Sequence, residues 1–119
     1  MDGISAYKDR SISTQTPGKL IVMLYEGAIK FLYRTIEAME TGNHEAKAKD
    51  LERAVAIVDE LNANLDMEAG GEVAQNLRRL YNFMTTHLTQ ATMRNDPQMV
   101  RDVIACLKDL NEGWKAITS

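Results

Sequence analysis

Residues 20–33 read Leu-Ile-Val-Met-Leu-Tyr-Glu-Gly-Ala-Ile-Lys-Phe-Leu-Tyr, and 11 of these 14 side chains are apolar or aromatic. No other stretch restricts the fold so strongly. At about 100° per residue, Lys19, Glu26, Lys30, Arg34 and Glu37 fall within roughly one quarter of a helical wheel. The run therefore reads as a helix with one wet stripe. It is too short for a membrane span, and it carries Glu26 and Lys30 inside it. A helix on the outside of a small bundle needs only part of its girth apolar. This one has a surplus, which neighbouring helices or a partner must cover.

The rest of the chain supplies neighbours. Pro17 suits a first helical turn, with Thr16 or Thr14 as cap, and Gly42 ends that helix. Asn43 can cap a second helix, with Glu45 placed to meet the helix dipole favourably. Its stripe is Leu51, Ala54, Val55, Val58, Leu61 and Leu65. Gly70-Gly71 breaks the chain before a third stripe of Val73, Leu77, Leu80, Tyr81, Met84, Leu88 and Ala91. Asn95-Asp96-Pro97 then offers a stop, a cap and a first-turn proline. The last stripe is Val100, Val103, Ile104, Leu107, Leu110, Trp114 and Ile117. No alternating β-branched runs are present. The pattern predicts an all-α antiparallel four-helix bundle over 16–119, with helices at about 17–40, 44–65, 72–94 and 97–117. Residues 1–15 form a separate N-terminal segment, polar but studded with Ile4, Tyr7 and Ile12. It reads either as a frayed terminus or as a peptide able to lie along a groove.

Composition removes several function classes. A chain of 119 residues allows one domain with one core. The formal net charge of -3, with basic residues scattered, disfavours nucleic acid. The start, Met-Asp-Gly-Ile-Ser, carries no signal-peptide pattern, so a cytoplasmic protein without membrane insertion is expected. Cys106 stands alone between apolar neighbours and reads as a buried, inert thiol.

Chemistry is hard to find. A di-iron bundle needs Glu-x-x-His pairs, yet Thr41 and Met84 stand three positions before His44 and His87. Gly70-Gly71 has no preceding strand and no phosphate-loop pattern around it. The carboxylates Asp59-Glu60, Asp66 and Glu68 read as solvated faces and a loop. No cofactor, metal or enzymatic activity is expected. His87 admits one sharper reading, as the acceptor of a histidine phosphotransfer bundle. Such domains usually continue with a pattern containing Lys and Gly, and Leu88-Thr89-Gln90-Ala91 contains neither.

The surplus on the first helix divides on the wheel. Ile21, Leu24, Ala28, Phe31, Leu32 and Met39 form a core arc, and Val22, Tyr25, Ile29, Tyr33 and Ile36 form a second ridge. That ridge either serves a second neighbouring helix or makes a groove for an apolar segment of another protein. Seven methionines suit surfaces that repack around a partner, although core filling is the stronger reading of any single one.

Several blocks bring a family into view. They are Tyr7, then Thr16-Pro17 with Lys19-Leu20-Ile21-Val22-Met23-Leu24-Tyr25-Glu26-Gly27-Ala28, then Gly70-Gly71-Glu72-Val73-Ala74-Gln75-Asn76-Leu77 with Leu80-Tyr81. Ala91, Arg94-Asn95-Asp96 and Trp114 complete the set. In order and spacing the chain resembles the FliS family of flagellar secretion chaperones along essentially its whole length. Thr16 departs from the Ser or Ala common before the proline, but keeps a hydroxyl cap. The resemblance implies a cytosolic chaperone for flagellum assembly and type III secretion. It would bind the disordered C-terminal region of flagellin, prevent premature polymerisation and deliver the client to the export gate. It also implies that the N-terminal segment, through Ile4 and Tyr7, can act as a lid over part of the client site. The expected partner contacts are Ile4, Tyr7 and Ile12 from this segment, with Val22, Tyr25, Ile29 and Ile36 from wheel geometry. A phosphotransfer bundle using His87 and a generic helical adaptor are the alternatives.

Overall fold

The computed structural model describes residues 17–118, and Ile4, Tyr7 and Ile12 lie outside them. Four helices follow one another: α1 Pro17–Thr41, α2 His44–Ala63, α3 Gly71–Arg94 and α4 Pro97–Thr118. Short connections make consecutive helices antiparallel. Each helix packs on its two ring neighbours, α1 against α2 and α4, and α3 against the same pair.

The turns follow local chemistry. Gly42 takes φ +72°, and Asn43 N–H donates to the Ala38 carbonyl at 2.9 Å, closing α1 with a left-handed stop. Asn43 also opens α2, its side chain accepting from Ala46 N–H at 3.1 Å. At the α3–α4 corner, Asn95 adopts the left-handed φ of 50° and Asp96 N–H donates to Ala91 O at 3.0 Å. Asp96 Oδ1 then accepts from Gln98 N–H at 2.9 Å, with Pro97 at the first helical position. The two glycines before α3 serve different needs. Gly71 takes φ +53°, whereas a Cβ on Gly70 would stand 2.7 Å from both the Asp66 carbonyl and Ala74 Cβ.

The core axis of α1 runs along Tyr25, Ala28, Leu32, Ile36 and Met39, all buried. It meets Ala54, Val58 and Leu61 from α2, Leu77, Tyr81, Met84, Leu88 and Ala91 from α3, and Met99, Val100, Val103, Ile104 and Leu107 from α4. The wheel division of α1 is thus corrected. Its true centre lies between the two arcs, because α2 and α4 flank the helix and share its apolar girth. Tyr25 and Ile36 belong to the core rather than to an exposed ridge. Ile21, Leu24 and Phe31, assigned to the core arc, are only half-buried. Val73 and Ile117 also leave their expected stripes, at 66% and 73% exposed.

Candidate functional site

A polar contact in the core joins the diagonal helices α1 and α3. Tyr25 Oη and Tyr81 Oη lie 2.6 Å apart in the buried centre. Burial pushes both phenols above the ordinary tyrosine value of 10.0. Both therefore stay neutral, one hydroxyl donating to the other. Trp114 closes the α4 side, its ring 6.4 Å from that of Tyr25. This arrangement positions helices and leaves no reactive oxygen open to a substrate.

The expected partner residues on α1 therefore separate. Tyr25, 0% exposed, and Ile36 hold the core together, whereas Val22 and Ile29 are half-buried on the outer flank. Met23 and Tyr33 are exposed beside them. On the α4 side of this flank, Lys108 Nζ donates to Tyr33 Oη at 2.6 Å and stands 5.1 Å from the ring centre. Lys115 pairs with Glu26 at 3.6 Å. Between these two ties lies a cleft of about 420 Å³ lined by Glu26, Ile29, Lys30, Lys108, Asn111, Glu112 and Lys115.

On the α2 side the same helix is fastened differently. Asp50 is buried, with Arg34 Nε at 3.5 Å and Arg53 at 4.0 Å. Both guanidinium groups also lie over the Phe31 ring, at 5.7 and 5.6 Å from its centroid. The pairing explains how a carboxylate tolerates burial there. Sequence reading missed Asp50, because it interrupts an apolar stripe one position from Leu51. Asn111 was missed for the same reason, beside Leu110.

The opposite face carries more exposed grease. Val73, Phe83 and Met93 on α3, with Ile117 on α4, all reach solvent. His87 stacks on Phe83 at 4.8 Å, and its Nε2 lies 3.1 Å from Asp102 Oδ2. Hydrogen bonds from Gln98 and His87 hold the Asp102 carboxyl below its ordinary range. The imidazole is thus engaged across the α3–α4 groove by a carboxylate. Cys106 is half-buried, and burial pushes its thiol up, away from thiolate reactivity. Among the described residues, no group of three His, Cys, Asp or Glu side chains could hold a metal ion. No described helix is long and apolar enough to cross a membrane.

A helical bundle with apolar flanks, whose buried polar groups tie helices to one another, has the form of a protein-binding module. The family described as Flagellar protein FliS matches residues 1–119, and the chain belongs to that family. A flagellar secretion chaperone FliS from Vibrio cholerae is 40% identical over 118 residues, covering 96% of this chain and 87% of that protein. The Salmonella typhimurium chaperone of the same name is 40% identical, covering 98% and 90% of the two chains. The Bacillus subtilis one is 34% identical, covering 93% and 82%. A solved bacterial flagellar chaperone superposes with a TM-score of 0.80 over 98% of this chain and 97% of its own, at 19% identity, which bears on the fold. As a member of a chaperone family the chain is a flagellar secretion chaperone and not an enzyme, and its partner is a flagellar export substrate. The phosphotransfer reading of His87 is not favoured.

Proposed function

We propose that the export substrate is flagellin, bound through its C-terminal region in the cytoplasm and then presented to a component of the flagellar export gate. The observation that carries this reading is the full-length match to flagellar secretion chaperones. Physical chemistry supports the mode of binding. A disordered segment that folds on its partner buries roughly 1,000–3,000 Å² and loses several kcal/mol to ordering. A small bundle must offer broad apolar flanks to exceed that cost. Val22 and Ile29 are the accessible α1 contributors in this reading. Ile4, Tyr7 and Ile12 are proposed to join them from the N-terminal segment. Tyr25 and Ile36 act indirectly, by holding the helix that presents the flank.

A polymerisation assay tests the proposal. Flagellin monomers seeded with filament fragments should stop elongating when an equimolar amount of this protein is added. Elongation at the unchanged rate would defeat the assignment of flagellin as the client. A double substitution Val22→Ser with Ile29→Ser should restore elongation in part, at unchanged helicity.

A further inference from the structure

Charges on the last two helices are sorted by side. On α4, Arg101 reaches Glu40, Lys108 reaches Tyr33 and Lys115 reaches Glu26, so every α4 cation turns towards α1. The α3 side of α4 is left with carboxylates. Asp102 meets His87 there, and Asp109, seven residues on, repeats the same face. Helix α3 is the reverse. It has no carboxylate after Glu72, and it carries Arg78, Arg79 and Arg94.

Size is sorted in the same way. Val73 and Phe83 are large and exposed on α3, and Phe83 lies against His87 at the seam. The exposed residues of α4 that share a face with Asp109, at four before, four after and seven after it, are Ala105, Gly113 and Ala116. A Cβ on Gly113 would meet nothing within 4 Å. One helix thus presents bulk and cations, its neighbour hollows and carboxylates. Arg79 Nη1 donates to Asn76 on its own helix at 2.9 Å, and no ion pair joins Arg79 to Asp109 among the described residues.

The His87–Asp102 contact at 3.1 Å sets the height of one antiparallel helix against the other. At about 1.5 Å per residue, Arg79 and Asp109 lie about 12 and 11 Å from that contact along their helices, and Val73 and Ile117 about 21 and 23 Å. A second copy turned about a two-fold axis parallel to the helices keeps these heights and exchanges the sides. Arg79 then stands opposite the partner's Asp109, and Asp109 opposite the partner's Arg79. Phe83 comes to rest over the small residues of the facing helix. An axis across the helices would set α3 on α3 and α4 on α4, cation against cation and carboxylate against carboxylate. Apolar contact supplies the affinity, and charge selects the first arrangement over the second.

We propose that the α3–α4 face is the contact of a symmetric homodimer, with α3 of each copy lying on α4 of the other and Arg79 paired with the partner's Asp109. The pairing covers the exposed Val73, Phe83 and Ile117, a patch that a lone soluble chain otherwise leaves in water. Val22 and Ile29 lie on α1, away from this contact, so the pairing stands independently of the client reading.

Sedimentation velocity of the full-length protein between about 10⁻⁶ and 10⁻⁴ M reads the pairing, and a monomer–dimer equilibrium is expected. Arg79→Glu or Asp109→Arg alone sets like charges together at two places and should weaken the dimer at least tenfold. The double variant exchanges the charges and should restore pairing to within about threefold of wild type. Both positions are exposed, so helicity should not change. Gly113→Lys puts bulk and a cation in the hollow. It should weaken the dimer while raising the thermal midpoint of the dilute monomer, since glycine is the poorer helix former. A wild-type chain that stays monomeric throughout would overturn the proposal. So would a dimer that survives either charge reversal or Gly113→Lys, or one that the double exchange fails to restore.

Discussion

Tyr25 and Tyr81 make a buried polar contact between the diagonal helices α1 and α3, and their value is in register rather than in raw stability. Their hydroxyls, 2.6 Å apart, satisfy each other where water does not reach. Tyr25→Phe or Tyr81→Phe alone strands the remaining hydroxyl and should lower stability by about 1–3 kcal/mol. The double variant should lose less than the sum, and a denaturant-unfolding cycle over the four proteins measures that coupling. The pair also sets an alkaline limit. In the folded protein both phenols, and the Cys106 thiol, hold their protons more tightly than in the unfolded chain. Above the unfolded values the unfolded state binds fewer protons, so stability falls as pH rises. Unfolding free energy should therefore be level on this account up to about pH 8, begin to fall as the unfolded thiol titrates near 9.0 and decline further through pH 10 and beyond. A midpoint that rises over that interval would contradict the burial of these groups.

At the scale of elements, the corners were the most legible part of the chain. Gly42, Asn43, Asn95, Asp96 and Pro97 act through their own backbone preferences, and those preferences are written in the residue type. Asn43→Ala should cost about 1 kcal/mol in a thermal melt, since it removes the only side-chain cap recorded for α2. Gly70→Ala should cost more, because the new methyl meets a backbone carbonyl that cannot move aside. Equal stability of the glycine and alanine forms would refute that close approach. Which arc of α1 faces inward was less legible. A wheel gives the width of an apolar arc, but its centre depends on where α2 and α4 stand. Their shared embrace drew Tyr25 and Ile36 into the core and left Ile21 and Phe31 at its edge. Val73 and Ile117 are exposed because the packed arc at those helix ends falls on their neighbours: Ala74 is buried beside Val73, and Thr118 stands against Gly18 of α1 beside Ile117.

For the whole molecule, the apolar surplus that marks residues 20–33 is largely consumed by a two-sided core, and what stays accessible is the flank of Val22, Met23, Ile29 and Tyr33, which the proposed client would cover. The cleft beside it was illegible in sequence. Lys30 lies on α1 and Asn111 with Glu112 on α4, so they line one cleft only after the bundle closes. The family, by contrast, was readable because its motifs combine corner residues and core residues in fixed order. Under the proposed function, this bundle binds a disordered flagellin terminus and folds it. The most direct measurement is titration of the full-length protein with a peptide spanning the flagellin C-terminal region, followed by circular dichroism and by heat. One-to-one binding with submicromolar affinity, below about 10⁻⁶ M, is expected, with a gain in helicity beyond the sum of the parts and a negative heat-capacity change. No binding at tens of micromolar, or binding without added helix, would contradict it.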